Sequence, residues 1–431
     1  MDNVIVVDYS GRGHAIADLF VRTDPGVTVH YLPGCEAIKQ DRIVSQPQLA
    51  FDDPAPMVQY ARDVSADLVL VGHPRALAAG YSDRFLEAGF PVISPTERAA
   101  MLETSKDYTK RLCAKYGIKT AAHRTFDDAD EAIDHIREVG APIVIKGDTS
   151  CQGNGVFVCH TVRDAVAAVE RLMVSRDFGS GGDRVVIEEF LDGKELLYFA
   201  LVGGDNYLLL PSAVDYPRSE DGNQGPMCGG MGAFSPAPYE TYTDVKRFER
   251  QMMRPLMTAI AGEGLDYFGF IYLDCMLVGD QLYLIEINAR MGDPEAEVVL
   301  PRITSDFGAT CTALLDGRVQ PLTISDEHFV DVAATQGPTP GYQGWPYGTV
   351  GRGYPITGLD TLTPETCRVF YGAARTLADG TLATDGGKCL HFTGRGATRA
   401  EARANAYRGI AGVHFAGIRY RTDIAEAMPW D

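Results

Sequence analysis

Residues 269–295 read Gly-Phe-Ile-Tyr-Leu-Asp-Cys-Met-Leu, then Val-Gly-Asp-Gln, Leu-Tyr-Leu-Ile and finally Glu-Ile-Asn-Ala-Arg-Met-Gly-Asp-Pro-Glu. Two apolar runs rich in β-forming residues flank a Gly-Asp turn, which predicts an antiparallel hairpin. Because side chains alternate along a strand, we expect Glu286, Asn288 and Arg290 on one face and Ile285 and Ile287 on the other.

This polar strand face has the chemistry of a magnesium and phosphate site. The oxygens of Glu286 and Asn288 suit a hard cation such as Mg²⁺, and Asp274 on the preceding strand adds a carboxylate if the register brings it across. The planar fork of Arg290 can hold phosphoryl oxygens or a developing oxyanion. The alternative is an ordinary solvated strand face.

Composition bounds the class of protein. The chain has 431 residues, which predicts several domains, and it is 45% hydrophobic and 23% charged. The net charge of −19 disfavours general nucleic-acid binding, which depends on clustered Lys and Arg. We find no run of sequence that is long and apolar enough to span a bilayer, and we expect a cytoplasmic protein.

The nine cysteines are dispersed, without a Cys-x-x-Cys pair. This pattern predicts buried, reduced thiols rather than a disulfide framework or a zinc site. We expect no membrane or nucleic-acid partner, and either a monomer or a homodimer.

The N-terminal hundred residues predict a doubly wound parallel sheet, because apolar strands alternate with helical patterns. The expected strands are 3–7, 28–32, 68–72 and 91–93, with ligand-facing loops at 10–14, 33–35 and 72–77. Gly11 and Gly13 alone do not complete a dinucleotide fingerprint, which argues against a NAD-dependent oxidoreductase.

A small α/β unit follows a helix that starts at Ser105 and Lys106 and ends at Gly117. Its expected elements are a helix over 128–139, strands over 143–147, 156–159 and 184–190, and a helix over 161–174. The glycine-rich loop from Asp148 to Gly155 can wrap phosphates with backbone N–H groups, although a plain turn is the alternative.

The second half contains one long segment that we expect to be a functional loop, residues 215–236. A helix over 243–262 follows, with an expected kink at Pro255. Beyond about residue 325, shorter segments and a final helix over 398–411 predict a smaller α+β domain.

Six ordered blocks resemble the ATP-grasp ligases, and within them the phosphoribosylamine–glycine ligase family. They are Ser105-Lys106, Ala-Pro-Ile-Val-Ile-Lys-Gly-Asp at 141–148, Val-Ile-Glu-Glu-Phe-Leu-Asp-Gly-Lys-Glu at 186–195, Gly-Gly-Met-Gly-Ala-Phe-Ser-Pro at 229–236, the hairpin end at 286–295, and Asp-Gly-Gly-Lys at 385–388.

The resemblance implies a multidomain α/β and α+β architecture. Its parts would be an N-terminal Rossmann-like substrate domain at 1–104, an ATP-grasp main subdomain at 105–122 and 191–324, an ATP-grasp lid at 123–190 and a C-terminal domain at 325–431. It implies ATP and Mg²⁺, with Mn²⁺ as an alternative metal, and small-molecule carboxylate and amine substrates that are joined as an amide through an acyl phosphate.

The resemblance also implies a role for each matching residue. Arg290 would stabilise the transferring phosphoryl group, while Glu286, Asn288 and Asp274 would hold the metal. The nucleotide would meet Lys106, Lys146, Asp148, Gly153, Gly155, Glu188, Phe190, Leu191 and Glu195. The other substrates would meet Gly11, His14, Arg75, Asp215, Arg218 and Gly230. For His14 a structural role, and for the two arginines a plain surface role, are the alternatives.

The substrate end departs from the family pattern. The glycine-rich N-terminal loop of the family becomes Asp8-Tyr9-Ser10 here, and its Asp-His-Lys becomes Asp215-Tyr216-Pro217. Lost hydrogen-bonding partners change substrate discrimination. We therefore expect a ligase with a changed acid or amine that serves specialised metabolism. The alternatives are a genuine phosphoribosylamine–glycine ligase and a non-catalytic nucleotide-binding protein, which Asn154 in the flap favours.

Overall fold

The computed structural model describes residues 1–149 and 155–429. Its N-terminal part is a parallel sheet in the order β3-β2-β1-β4, which confirms the doubly wound prediction. The elements are β1 (Asn3–Asp8), α1 (Gly11–Thr23), β2 (Thr28–Pro33), β3 (Ile43–Ser45), α2 (Ala55–Asp63), β4 (Leu68–Val71), α3 (Pro74–Ala78), α4 (Tyr81–Glu87) and α5 (Glu97–Thr104). The expected strand at 91–93 is only a bridge between Val92 and Val69.

The next unit is an antiparallel sheet with two helices. After α6 (Lys106–Tyr116) come β5 (His123–Phe126), α7 (Ala129–Val139), β6 (Ile143–Gly147), β7 (Val156–Cys159), α8 (Val162–Val169) and β8 (Val185–Glu189). The strands pair in the order β5-β8-β6-β7. Side-chain caps from Ser105, Asp128 and Thr161 start three of the helices, because each accepts a hydrogen bond from a free N–H of the first turn.

The central unit carries the hairpin. Its elements are β9 (Lys194–Gly203), β10 (Asn206–Leu209), β11 (Val214–Asp215), β12 (Arg218–Glu220), β13 (Gln224–Met227), β14 (Gly232–Ser235), α9 (Tyr242–Phe248), α10 (Arg254–Glu263), β15 (Phe268–Val278), β16 (Gln281–Asn288), α11 (Ala296–Val299) and α12 (Phe307–Leu315). A sheet in the order β10-β9-β15-β16 forms its core. A wide π-type turn over Glu249–Met253 joins α9 to α10 and places Pro255 in the first turn of α10. A proline is tolerated there because its missing N–H is not needed.

The C-terminal part completes the fold with β17 (His328–Gln336), β18 (Cys367–Tyr371), β19 (Ala374–Thr376), β20 (Leu382–Thr384), β21 (Lys388–Gly396), α13 (Arg399–Ala411) and β22 (Ile418–Arg419). Its sheet runs β11-β14-β17-β21-β18, with β22 beside β17. Strands β11 and β14 come from the segment expected to be a loop. That expectation is wrong, and the sheet crosses the boundary predicted near residue 325.

Helix α1 lies at the centre of the molecule. Every residue from Gly11 to Val21 is buried, and the helix lies against α11 and β18 as well as its own sheet. The N-terminal, central and C-terminal parts therefore meet around its N-terminus. Each cysteine of the described residues is buried and free, as the sequence predicts. Within those residues we find no helix that is long and apolar enough to cross a membrane.

Candidate active site

The hairpin forms with the register that the site needs. Asp274 of β15 lies opposite Glu286 of β16, and Tyr272 lies opposite Asn288. A β-bulge places Ile285 between the pairs Cys275–Leu284 and Asp274–Glu286, so the simple alternation predicted for Ile285 fails there. The bulge keeps Asp274 and Glu286 directly across from one another.

Asp274 belongs to a half-buried acidic cluster at the hairpin. Its Oδ1 atom has no hydrogen-bond partner among the described residues. Burial and the neighbouring Glu195 and Asp215 carboxylates raise the pKa of Asp274 well above its usual range. Burial and the carboxylates of Glu295 and Glu195 do the same for the pKa of Asp215. Unpaired carboxylates in so dry a place are costly unless a cation joins them, so the donors fit a hard divalent ion.

Arg290 is held in place before any substrate arrives. Its Nη2 atom donates to Asn288 Oδ1 at 2.7 Å and lies 3.0 Å from Glu103 Oε1, while Nη1 donates to the Met291 carbonyl at 3.1 Å. Its side chain remains 18% exposed, so the fork still borders solvent beside the acidic cluster. Glu103 was not singled out by the sequence, because it lies 187 positions from Arg290.

A buried ion triad of Glu188, Lys110 and Lys146 joins the β5-β8-β6-β7 sheet to α6. The carboxylate of Glu188 lies 3.1 Å from the ammonium groups of both Lys110 and Lys146. Burial raises the pKa of Glu188, but the two lysines outweigh it and lower that pKa overall. Lys146 Nζ also donates to the carbonyl of Ile285, the bulge residue, at 3.3 Å. Glu188 was expected to meet the nucleotide; here the two lysines enclose its side chain, and the nucleotide contact stays a prediction.

Sequence analysis did not single out Lys110, although its spacing from Lys106 was a signal. Lys110 lies four residues after Lys106 and therefore on the same side of α6. Lys106 itself begins the helix, and its backbone N–H donates to the Asp148 carbonyl at 3.1 Å.

Asp148 stabilises the start of α6, and its expected contact with the nucleotide stays a prediction. Its Oδ1 accepts a hydrogen bond from the Asp107 N–H at 2.8 Å. Gly155 accepts from the Gly147 N–H at 2.9 Å and closes the base of the β6–β7 connection. Gly153 and Asn154 lie outside the described residues. Phe190, Leu191 and Glu195 are partly exposed beyond β8, where their nucleotide contacts stay predictions.

The N-terminal loop satisfies its own charges. Asp8 accepts hydrogen bonds from the backbone N–H groups of Tyr9 at 2.6 Å and Ser10 at 2.8 Å, and forms a 3.0 Å ion pair with Arg12. Tyr9 in turn stacks on His73, with ring centroids 4.5 Å apart. An internal carboxylate thus engages the backbone N–H groups of the two residues that precede α1.

The predicted substrate residues divide into buried and exposed ones. His14 is buried with both ring nitrogens engaged, by Gln40 at 3.2 Å and by the Tyr371 N–H at 3.0 Å, and burial lowers its pKa to about 4. These contacts favour the structural alternative. Arg75 is exposed, with its guanidinium 5.9 Å from the centre of the Phe51 ring.

In the former loop segment, the side chain of Arg218 donates to the Gly225 carbonyl at 2.8 Å, so it is engaged in the β12–β13 hairpin. Gly230 has a φ of +89° and lies where a Cβ would come within 2.4 Å of Pro294. Among the three substrate residues predicted in the segment 215–236, Asp215 is the one that joins the acidic cluster at the hairpin.

Three family models match the chain in order. They are the N domain of phosphoribosylglycinamide synthetase over residues 2–103, its ATP-grasp (A) domain over 104–296 and its C domain over 341–427. Together they account for most of the chain, including the hairpin and the α6 start.

Curated relatives and solved structures agree with these matches. Phosphoribosylamine–glycine ligases from Streptococcus pneumoniae and Allochromatium vinosum are 35% and 37% identical, each over 98% of this chain and 98% and 97% of their own. The crystal structure of such a ligase from Thermotoga maritima superposes with a TM-score of 0.81 at 31% identity, covering 98% of this chain and all of that one. A biotin carboxylase from Campylobacter jejuni, at 14% identity and a TM-score of 0.69, shares the fold over 97% of this chain and 92% of its own. The chain belongs to the phosphoribosylamine–glycine ligase family of ATP-grasp, amide-forming enzymes.

Proposed function

We propose that this chain joins glycine to phosphoribosylamine with ATP, as a ligase of purine synthesis. The observation that carries the proposal is similarity along the full length to ligases of that name, at 35–37% identity. The expectation of a changed substrate has no counterpart in these comparisons, which favour the genuine purine ligase.

The reaction needs positioned charge more than covalent help from the protein. In the first step a glycine carboxylate oxygen attacks the γ-phosphorus of ATP, the bond to ADP breaks, and a glycyl phosphate forms. Lys106 and Lys146 would face the phosphates, and the fork of Arg290 would hold the transferring phosphoryl oxygens. In the second step the amine nitrogen attacks the acyl carbon, loses a proton and expels phosphate, while Arg290 stabilises the tetrahedral oxyanion.

The divalent metal has a donor set that fits it. Glu286 and Asn288 would hold the ion, with Asp274 as a further donor through its unpartnered Oδ1 atom. A bound Mg²⁺ supplies positive charge against the phosphate oxygens. The protein's own part is to place the three oxygen donors on one hairpin and to keep Arg290 fixed beside them through Glu103.

The direct test is ADP release from the purified chain with Mg²⁺ and ATP, comparing glycine plus phosphoribosylamine with a panel of other acids and amines. Turnover that requires both purine substrates supports the proposal. Release with another pair, and none with the purine pair, contradicts it.

One observation favours a second candidate, a ligase of this family that acts on a different amine. The Asp8 carboxylate occupies the backbone N–H groups of Tyr9 and Ser10, just before α1, and pairs with Arg12, so these three groups are not free for a phosphate of the substrate. Complementation of a strain that lacks the purine step separates the two candidates. Full rescue excludes the second one.

A further inference from the structure

A second buried group of ionisable residues surrounds His391, where the three parts of the molecule meet. Asp293 precedes α11, Glu297 lies within it, and His391 lies on β21. The side chains of Glu297 and His391 have no exposed surface. Both carboxylate oxygens of Glu297 and the Nε2 atom of His391 lack a hydrogen-bond partner among residues 1–149 and 155–429. Unpaired polar atoms this deeply buried are costly and call for a ligand.

The spacing of these atoms fits one metal ion. His391 Nε2 lies 3.3 Å from Asp293 Oδ1 and 3.9 Å from Glu297 Oε1, and one donor atom of each residue lies within 4.8 Å of the others. Donors that share an ion at about 2.0–2.2 Å can lie up to about 4.4 Å apart. The two distances from the imidazole are within that limit, and a small rotation of a carboxylate brings in the third.

The imidazole is oriented as metal-binding histidines are. Its Nδ1 atom lies 2.9 Å from Asp331 Oδ2, and Asp331 is itself fixed by the Thr393 hydroxyl, which donates to Oδ1 at 2.8 Å. A carboxylate that accepts the Nδ1 proton directs the lone pair of Nε2 toward the opposite side of the ring. That side faces Asp293 and Glu297.

A divalent cation would balance the charges around the cluster when its three carboxylates are ionised and His391 is neutral. Asp293, Glu297 and Asp331 bring three negative charges, and Lys388, 3.0 Å from Asp293, brings one positive charge. Arg12 is already paired with Asp8. Without an ion the groups retain protons instead: burial and Asp293 raise the pKa of Glu297, and Asp331 and Asp293 raise that of His391 against the effect of its burial.

Gly11 explains how the N-terminal part approaches so closely. A Cβ at this position would lie 2.5 Å from both Glu297 Oε1 and His391 Cδ2. Any side chain here would displace the cluster, so the glycine that begins α1 is needed for these groups to meet. Gly11 therefore packs beside this cluster, and its predicted contact with a substrate stays a prediction.

We propose that Asp293, Glu297 and His391 form a second metal site, separate from the hairpin oxygens, for a first-row divalent transition cation such as Zn²⁺ or Co²⁺. One imidazole with two carboxylates suits such ions better than it suits Mg²⁺, which prefers oxygen donors and retained waters. The bound ion links the central part of the molecule, through Asp293 and Glu297, to the C-terminal sheet, through His391.

The test uses the full chain with the Glu286→Gln substitution, which weakens the hairpin site. After removal of metals by a chelator, the protein is titrated with Co²⁺ and followed by visible absorption and equilibrium dialysis. We expect one equivalent to bind with absorption bands typical of a site that contains nitrogen. His391→Ala should weaken this binding at least about 100-fold, whereas the control His414→Ala, at an exposed histidine, should leave it unchanged.

Two further variants keep the test decisive. Asp331→Ala should weaken Co²⁺ binding by about 10–100-fold, because it removes the acceptor that orients His391 without touching the ion. Glu297→Gln serves as the ligand variant if His391→Ala does not fold, as judged by circular dichroism. Folded protein that binds no Co²⁺, or that binds it equally well without these groups, overturns the proposal; His391 is then an imidazolium between Asp331 and Asp293.

Discussion

The hairpin face and the N-terminal loop both bury carboxylates, but they treat the charge in opposite ways. Asp274 on the hairpin keeps an oxygen without a partner and is surrounded by further acids. Asp8 in the loop accepts hydrogen bonds from two backbone N–H groups and forms an ion pair with the guanidinium of Arg12. Buried charge that the protein leaves unpaired marks a place for a ligand, whereas charge that it pairs internally stabilises the fold.

This contrast fits the comparisons with known proteins. The hairpin lies in the region matched by the ATP-grasp model, and its open carboxylates and fixed arginine have the chemistry of phosphoryl transfer. The loop lies in the region matched by the N-domain model. There Asp8 is paired with groups of the protein itself, namely two backbone N–H groups and Arg12. The first region should respond to substitution mainly in catalysis, and the second mainly in stability.

The largest expected effect is that of Arg290→Ala. Loss of the fork removes stabilisation of charge that develops only during the reaction, so turnover should fall by at least about 10³-fold, while ATP binding stays close to that of the wild type. Steady-state ADP release and equilibrium nucleotide binding measure the two quantities. Arg84→Ala, at an exposed arginine on α4, is the control. Wild-type turnover in Arg290→Ala would show that Arg290 does not stabilise the transferring phosphoryl group.

Glu188→Gln should lower the free energy of unfolding by about 3–5 kcal/mol, because it leaves the buried ammonium groups of Lys110 and Lys146 without their shared partner. Urea denaturation measures the change, and Glu138→Gln, at an exposed position on α7, is the control. A loss no larger than that of the control would mean that the triad is not paired in solution.

The loop region gives a prediction about pH. The folded pKa of His14 is about 4, below the ordinary value of 6.5, so the unfolded chain takes up a proton that the folded one refuses between those values. Its contribution to stability is therefore complete above pH 6.5 and declines toward pH 4, by on the order of 3 kcal/mol.

The measurement compares denaturation of the wild type and His14→Asn from pH 7 to pH 4. The variant should lose less stability than the wild type over this interval, and the exposed control His414→Asn should follow the wild type. Parallel curves for His14→Asn and the wild type would show that His14 titrates normally and is open to solvent or substrate.

Glu286→Gln tests the hairpin as a metal site. Removing one charged oxygen should raise the Mg²⁺ concentration needed for half-maximal turnover by about 10–100-fold, since an amide is a weaker donor to a hard ion. Activity is measured across a magnesium titration at saturating ATP. Glu249→Gln, on the turn between α9 and α10, is the control. An unchanged titration would mean that Glu286 does not contact the metal.

Local pattern predicted the hairpin well. The period of two and the Gly-Asp turn predicted the hairpin with Glu286 and Asn288 on one face, because these relations depend on neighbouring residues alone. Asp274 was expected opposite them if the register allowed it, and the register does place it across from Glu286. Arg290, expected on the same strand face, lies two residues beyond the end of β16. The bulge at Ile285 was missed, since one extra residue in a strand leaves no mark on an apolar run. Its carbonyl nevertheless receives Lys146.

The relations that the sequence did not reveal join distant parts of the chain. Glu103 and Arg290 are 187 positions apart, and Asp331 and His391 are 60 apart. Strands β11 and β14 were mistaken for a loop because they are short and lie in a segment rich in glycine. Strand β11 pairs with β14, and the other partner of β14, β17, begins about a hundred residues later. Such contacts follow from the tertiary fold, which a single sequence read for local pattern does not contain.

The smallest expected effect is that of Arg75→Ala, which asks whether any part of the loop region remains open to substrate. Arg75 is exposed, with its guanidinium 5.9 Å from the centre of the Phe51 ring, so the free energy of unfolding should change by less than about 0.5 kcal/mol. If its charge attracts a phosphorylated amine, KM for that substrate should rise about twofold to fivefold with kcat unchanged, as befits a solvent-screened charge. Arg163→Ala, on the outer face of α8, is the control. An unchanged KM would mean that Arg75 is a surface residue without contact to the substrate. The contrast with the hairpin would then hold for Arg75 as well as for Asp8 and Arg12, because none of these charges would bind a ligand.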